Sequence, residues 1–273
     1  MKKFEVLVSA LNNDPEQLIG RMNLESDAVV INQTDHNDKR VVSFNNGYRA
    51  RVFENTDRGV GASRNKALSK AEAEIVLFSD EDIVFDKGYE KKVLKAFSEN
   101  ADADIILFNI EVDERRRTYW IDRKTKVGRF NSGRYPAYSI AARASKLKAA
   151  GVKYSLLFGG GAKYSNGEDS LFLKDCLNAG LNMLATPLVL GEEIPRPSTW
   201  FNGYNDKIFY DRGVLYHFLY GKWAKLWGFR WVYKMQHDYA EKYPYKKAKD
   251  MLFLGIKEGT DGNREFDENG NMK

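Results

Sequence analysis

One cysteine, three histidines and no long apolar run mark what this 273-residue chain withholds. A lone Cys176 can form no intramolecular disulfide, and it excludes a thiolate cluster for zinc. His36, His217 and His237 are scattered without metal-ligand spacing, so no role is assigned to them. No window approaches the roughly 18 apolar residues of a membrane-spanning helix. The opening Met1-Lys2-Lys3-Phe4-Glu5-Val6 lacks the apolar stretch of a secretory signal and reads as the approach to a strand. The expectation is a cytoplasmic protein, touching at most the inner face of a membrane. A net charge of +5 suits a phosphate-bearing small ligand or an anionic membrane surface as readily as a nucleic acid, and nothing else in the chain argues for a nucleic-acid partner.

What is present is a run of short β-rich segments separated by helix-compatible ones. Phe4 to Ser9, Asp27 to Asn32, Ile75 to Ser79 and Ile105 to Ile110 read as strands, with Val41 to Phe44 and Arg51 to Glu54 as shorter pieces. Leu18 to Leu24 and Ala62 to Ala71 suit helices between them. This alternation predicts an α/β fold with a Rossmann-like mixed, mainly parallel sheet flanked by helices. Such sheets bind ligands beyond the carboxyl ends of their strands. Ser9 to Asn12, Asn32 to Thr34 and Ser79 to Asp82 therefore form a candidate rim. Further on, Tyr138 to Ala150 is apolar and helix-compatible, Asp169 to Ala179 reads as a helix stopped by Gly180, and Leu188 to Leu190 as a short strand.

Asp80-Glu81-Asp82 follows directly on an apolar strand. Three adjacent acids repel one another, and a hard divalent cation beside a diphosphate would relieve that repulsion. A solvated acidic turn is the plainer reading of the same residues. Upstream, Gly59 and Gly61 precede a helix carrying Arg64; backbone N–H groups there can approach an anion, though the loop matches neither the dinucleotide nor the Walker pattern. Arg64 could equally be a surface arginine. Glu168-Asp169 opens a helix, where acids are ordinarily favoured by the helix dipole. Cys176, between Leu173 and Leu177, reads as core packing.

Taken in order and spacing, these pieces resemble the family 2 glycosyltransferases of the GT-A fold. The resemblance is carried by Gly59 to Leu68, the following strand with its Asp-x-Asp at 80–82, Gly167 to Leu173, and Pro197-Ser198-Thr199-Trp200, and covers roughly residues 4 to 200. It implies an inverting transferase, of the hexosyltransferase type, that moves a sugar from a nucleoside-diphosphate donor, expected to be a UDP-sugar, to an acceptor hydroxyl. It further implies Mn²⁺ or Mg²⁺ bound by Asp82, Asp80 with Arg64 on the nucleoside, and Asp169 as general base. Glu168 would shape the acceptor pocket together with Trp200, and Ser9, Asn12 and Gln33 would hold the base. Glu81 is left without a part. The acceptor class is a glycan, a lipid-linked sugar or a glycoprotein, in bacterial surface polysaccharide or glycoconjugate synthesis.

The chain departs from the family where the first-strand loop reads Ala10-Leu11-Asn12 instead of carrying a proline and an aromatic. The second strand ends in Asn32-Gln33 and not in acids, and Glu192-Glu193 stands where many relatives have a histidine. Two other classes compete: a sugar-phosphate nucleotidyltransferase, whose early glycine-rich loop is missing here, and a non-catalytic binding module. The expected organisation is a catalytic domain over 1–205, with a nucleotide-sugar half (1–110) and an acceptor half (111–205), then a helical extension over 206–273 with a frayed end. In that extension Phe209, Tyr210, Tyr216, Trp223, Phe229 and Tyr233 stand among basic residues. The pattern suits a membrane interface, packing on the catalytic domain, or a homodimer contact.

Overall fold

The computed structural model describes residues 2–44, 47–114, 117, 119–195, 203–262, 264–267 and 269–272. They divide into two compact units: Met1–Leu156 with Glu168–Arg196, and Leu157–Gly167 with Pro197–Lys273.

The first unit is built on a ten-stranded sheet of order β3-β4-β2-β1-β5-β9-β7-β10-β6, with β8 (Thr125–Val127) against β10 (Met183–Glu193). At its heart β1 (Phe4–Leu11), β2 (Ala28–Gln33), β4 (Arg49–Asn55) and β5 (Ile75–Asp80) run parallel, while β3 (Asp38–Ser43) pairs antiparallel at the edge. Strands buried on both faces read as continuous apolar runs, and β1 shows why. Phe4, Val6 and Val8 face a core layer with Leu18 and Ile19 of α1 (Pro15–Arg21) and Val93 and Phe97 of α3 (Tyr89–Glu99). Leu7 faces a second layer with Ala67 and Leu68 of α2 (Val60–Lys70), Leu147 of α4 (Ala144–Ala150) and Phe172, Leu173 and Cys176 of α5 (Glu168–Asn178). Cys176 is fully buried, and burial pushes its thiol up to about 12. It is a packing residue.

The stretch 138–150 is not one helix. Ile140–Arg143 forms β9, antiparallel to both β5 and β7 (Ile105–Glu111), and α4 follows. Alanine favours helix only weakly, by tenths of a kcal/mol. The slot between two buried strands decides instead, because each strand would otherwise bury unpaired backbone. Likewise β10 extends well beyond 188–190; register shifts around Pro187 break its ladder with β7 and its apolar pattern.

The second unit centres on α6 (Asp206–Tyr220), α7 (Ala224–Tyr239) and α8 (Tyr245–Glu258). A Cβ on Gly213 would overlap the Leu252 carbonyl, and one on Gly255 the Tyr210 carbonyl, so the backbones of α6 and α8 touch at a pair of glycines. Phe209, Tyr210, Tyr216 and Tyr239 are buried within this unit. Asn205 caps α6, its side-chain oxygen accepting from Ile208 N at 3.0 Å.

Candidate active site

Parallel register brings the polar ends of three strands side by side. Ser9 on β1 pairs with Ile31 on β2 and Asp80 on β5, and Leu11 pairs with Gln33. This is the rim read from the β-pattern. Ser9 Oγ is buried with no hydrogen-bond partner among the described residues, and such a buried donor is costly unless a ligand or water satisfies it.

Arg64 occupies the centre. Gly59 caps the start of α2 with a φ of 109° that only glycine holds without strain, and a Cβ on Gly61 would overlap the Ser155 carbonyl. That close approach seats Arg64 at 4% exposure, its guanidinium 5.2 Å over the Tyr154 ring. Tyr154 in turn stacks on Phe172 at 4.0 Å. Arg64 Nη2 donates to Asp80 at 2.9 and 3.3 Å, while Nη1 donates to Asp169 at 2.9 Å and Glu168 at 3.1 Å. Burial opposes its charge, yet Asp169, Asp80 and Glu168 hold its pKa well above the ordinary arginine value. Arg64 is a buried clamp and not a surface arginine, and it joins residues 104 and 105 positions apart in sequence.

Asp169 feels that crowding most. Its pKa is raised to about 8, with burial the largest cause; Arg64 opposes the rise, Glu168 and Asp80 add to it, and the Ala137 backbone opposes it. One guanidinium faces three carboxyl groups here.

Asp82 lies half-buried in the turn between β5 and β6 (Ile83–Phe85), where its carbonyl accepts from Ile194 N at 2.7 Å. Opposite, Ile83 pairs with Glu193 of β10. Among the described residues no three His, Cys, Asp or Glu side chains converge on one point. The described carboxylates therefore build no closed structural site of protein ligands alone.

Two residues enter that motif reading passed over. Burial raises the phenol of Tyr138, helped by Tyr119 and then by the carboxylates of Glu193, Asp80 and Asp169. Glu81, without a part in the sequence reading, has one. Its Oε2 accepts from Leu11 N at 2.7 Å and Asn13 Nδ2 at 2.6 Å. Arg21 braces the same loop through Asn13 Oδ1 at 2.8 Å. Asn32 closes it from β2, its Oδ1 accepting from Asn13 N at 3.1 Å and its Nδ2 donating to the Asn13 carbonyl at 2.7 Å. Asn12, exposed and with a positive φ of 51°, is the presented tip. Gln33 Oε1 accepts from Gly59 N at 3.0 Å, tying the second strand to the start of α2. No spacing rule signals the bridges from Glu81, Asn32 and Gln33, which join residues 70, 19 and 26 positions apart. Trp200 lies outside the described residues.

Residues 15–155 match the family described as glycosyl transferase family 2. No curated protein is significantly similar to the chain. Among solved structures, the chain is similar to S. aureus TarS 1–349 in complex with UDP-GlcNAc: 18% identity, 79% of this chain and 66% of that one, TM-score 0.56. A longer S. aureus TarS chain is 17% identical over 78% of this chain and 39% of its own length, TM-score 0.53. The mannosyltransferase PcManGT from Pyrobaculum calidifontis, in complex with GDP-Man and Mn²⁺, is 14% identical over 94% of this chain and 87% of that one, TM-score 0.54. The chain thus spans less than two thirds of the length of either of these TarS chains. At such identities the likeness shows the fold, the GT-A sheet flanked by helices. The family match extends over more than half of the chain and takes in the Arg64 helix and the Asp80 strand: the chain belongs to glycosyl transferase family 2.

Proposed function

We propose that the chain transfers a sugar with inversion from a UDP-sugar to a hydroxyl of a glycan, lipid-linked or glycoprotein acceptor, in bacterial surface polysaccharide or glycoconjugate synthesis. The observation that carries this reading is Arg64, which gathers the Asp80 and Asp169 carboxylates into one cluster at 2.9 Å each. Asp80 faces the nucleoside with Arg64 behind it, and the braced Leu11–Asn13 loop, Ser9 and Gln33 line the base. Asp82 holds the divalent cation. When bound, Mn²⁺ or Mg²⁺ there supplies Lewis-acid stabilisation of the departing diphosphate.

Asp169 takes the acceptor hydroxyl's proton as that oxygen attacks the anomeric carbon and the bond to the diphosphate breaks. One base and one displacement invert the configuration. A carboxyl with a pKa of about 8 suits the task, since general bases work best with pKa values near the operating pH. Glu168 borders the acceptor side, and its anchoring to Arg64 keeps Asp169 oriented. Support for the donor class comes from the similar structures, one holding UDP-GlcNAc and another GDP-Man with Mn²⁺. The catalytic domain is proposed to close near residue 205, with the helical segment beyond it as an extension at the cytoplasmic side of a membrane.

A panel of nucleotide sugars incubated with Mn²⁺ and the chain tests this. Release of nucleoside diphosphate that rises with added acceptor supports transfer. Release of pyrophosphate from a sugar phosphate and a nucleoside triphosphate would instead make the chain a nucleotidyltransferase. Binding without any release would make it a non-catalytic module.

A further inference from the structure

Helix α7 turns the wrong residues outward for a helix exposed to water alone. Ala224, Gly228, Val232 and Tyr239 form its buried face. A Cβ on Gly228 would crowd the Leu252 and Ile256 side chains of α8, so that face is pressed close and the helix cannot rotate. On the opposite face Trp223 at its start (57% exposed), Leu226 (61%), Phe229 (48%) and Tyr233 (61%) stand in solvent. Their spacing of three, three and four residues keeps them on one stripe of a 3.6-residue helix. Isolated exposed apolar residues are unremarkable, but a contiguous stripe marks an interaction surface.

The charge around the stripe chooses the partner. Lys222, in the turn just ahead of α7, and Lys225, Arg230 and Lys234 within it are exposed. From Gly221 to His237 there is no aspartate or glutamate. Lys222 Nζ lies 5.7 Å over the Trp223 ring, a basic and an aromatic group sharing one edge. Large aromatic and aliphatic side chains flanked by lysine and arginine, on a helix too polar to cross a bilayer, match an anionic membrane interface: rings and leucine enter the headgroup boundary and the basic groups meet lipid phosphates. Among the described residues no helix is long and apolar enough to span.

We infer that the outer face of α7 docks the protein in the plane of an anionic lipid surface. Binding of this kind needs no donor and no turnover, so it stands apart from the transfer reaction. Full-length protein should float with vesicles of phosphatidylglycerol and phosphatidylcholine in equal parts, and fail to float with phosphatidylcholine alone. The triple variant Leu226→Ser, Phe229→Ser, Tyr233→Ser should remain in the pellet with unchanged far-UV circular dichroism. Each single Lys225→Gln, Arg230→Gln or Lys234→Gln change should weaken partitioning about fivefold, the equivalent of about 1 kcal/mol per basic group at an anionic surface. Equal flotation of wild type and triple variant would overturn the inference, as would no flotation of the wild type. So would a wild-type dimer in sedimentation that the triple variant converts to monomer, since the stripe would then be a contact between copies of this chain.

Discussion

Arg64 on α2 and Asp169 on α5 are joined by a 2.9 Å ion pair buried beside the Tyr154 ring. The pair ties the start of a helix that precedes β5 to the start of another that lies 105 residues on. With the Arg64–Asp80 bond, it makes the proposed base and the proposed donor contact Asp80 parts of one electrostatic unit.

Removing the base should separate chemistry from binding. Asp169→Asn keeps the shape and the hydrogen bond but cannot accept a proton, so kcat should fall by about two to four orders of magnitude. The donor Kd, read by calorimetry, should stay within a few-fold of wild type. Near-normal turnover would remove Asp169 from the role.

The same carboxyl should give the protein an unusual response to pH. Its folded pKa of about 8 is raised far above the ordinary aspartate value near 3.9. The native state therefore holds this proton more tightly than the unfolded chain does. Its contribution to stability is complete below about pH 4 and is lost as pH rises through about 8. The unfolding free energy from urea titrations between these limits should fall with pH by about a few kcal/mol in the wild type and much less in Asp169→Asn. Activity should move the other way, rising with pH as the carboxyl ionises. A wild-type stability curve parallel to that of the variant would contradict the assignment.

Arg64 cannot be exchanged for lysine without loss. A single ammonium cannot reach Asp80 from one nitrogen and Asp169 with Glu168 from another, as the guanidinium fork does. Arg64→Ala leaves three carboxylates facing one another at a largely buried site, and should cost about 3–5 kcal/mol. Chemical denaturation measures this directly. Arg64→Lys should retain more stability than Arg64→Ala but lose most donor affinity.

Glu81 should behave as a positioning residue. Glu81→Ala removes the side-chain acceptor of Leu11 N and one of the two acceptors of Asn13 Nδ2, and loosens the loop that presents Asn12. KM for the donor should rise about tenfold with kcat little changed, the pattern of lost uniform binding. Glu81→Gln, whose amide oxygen can still accept, should recover part of the affinity. A fall in kcat at unchanged KM would place Glu81 in the chemistry instead.

In the second unit, Gly255→Ala places a methyl group against the Tyr210 carbonyl at the crossing of α6 and α8. Overpacking of this kind costs about 1–3 kcal/mol. Thermal denaturation should show the loss. An unchanged Tm would mean that the two helices can separate without penalty.

The local signals and the global arrangement divide cleanly along the chain. The largely apolar run at 4–10, broken by Glu5 and Ser9, and the continuous one at 75–78 are strands on their face, because a sheet covered on both sides buries nearly every side chain. Polar residues that close such runs fall side by side at the carboxyl ends of parallel strands, so the placement of Ser9, Gln33 and Asp80 on one edge is legible without coordinates. The acidic opening of α5 was visible too, but with an ordinary helix-dipole explanation to hand. Only tertiary structure brought Arg64 to it, since a contact over 105 residues leaves no mark on local periodicity. The β9 strand was hidden for a related reason: Ile-Ala-Ala-Arg has weak preferences, and the vacant slot between β5 and β7 chose its conformation. In the second unit, composition announced an aromatic and basic segment without ranking its members. Close packing of α7 on α8 decided which aromatics are core and which are surface, because a helix pinned by Gly228 can bury only one face.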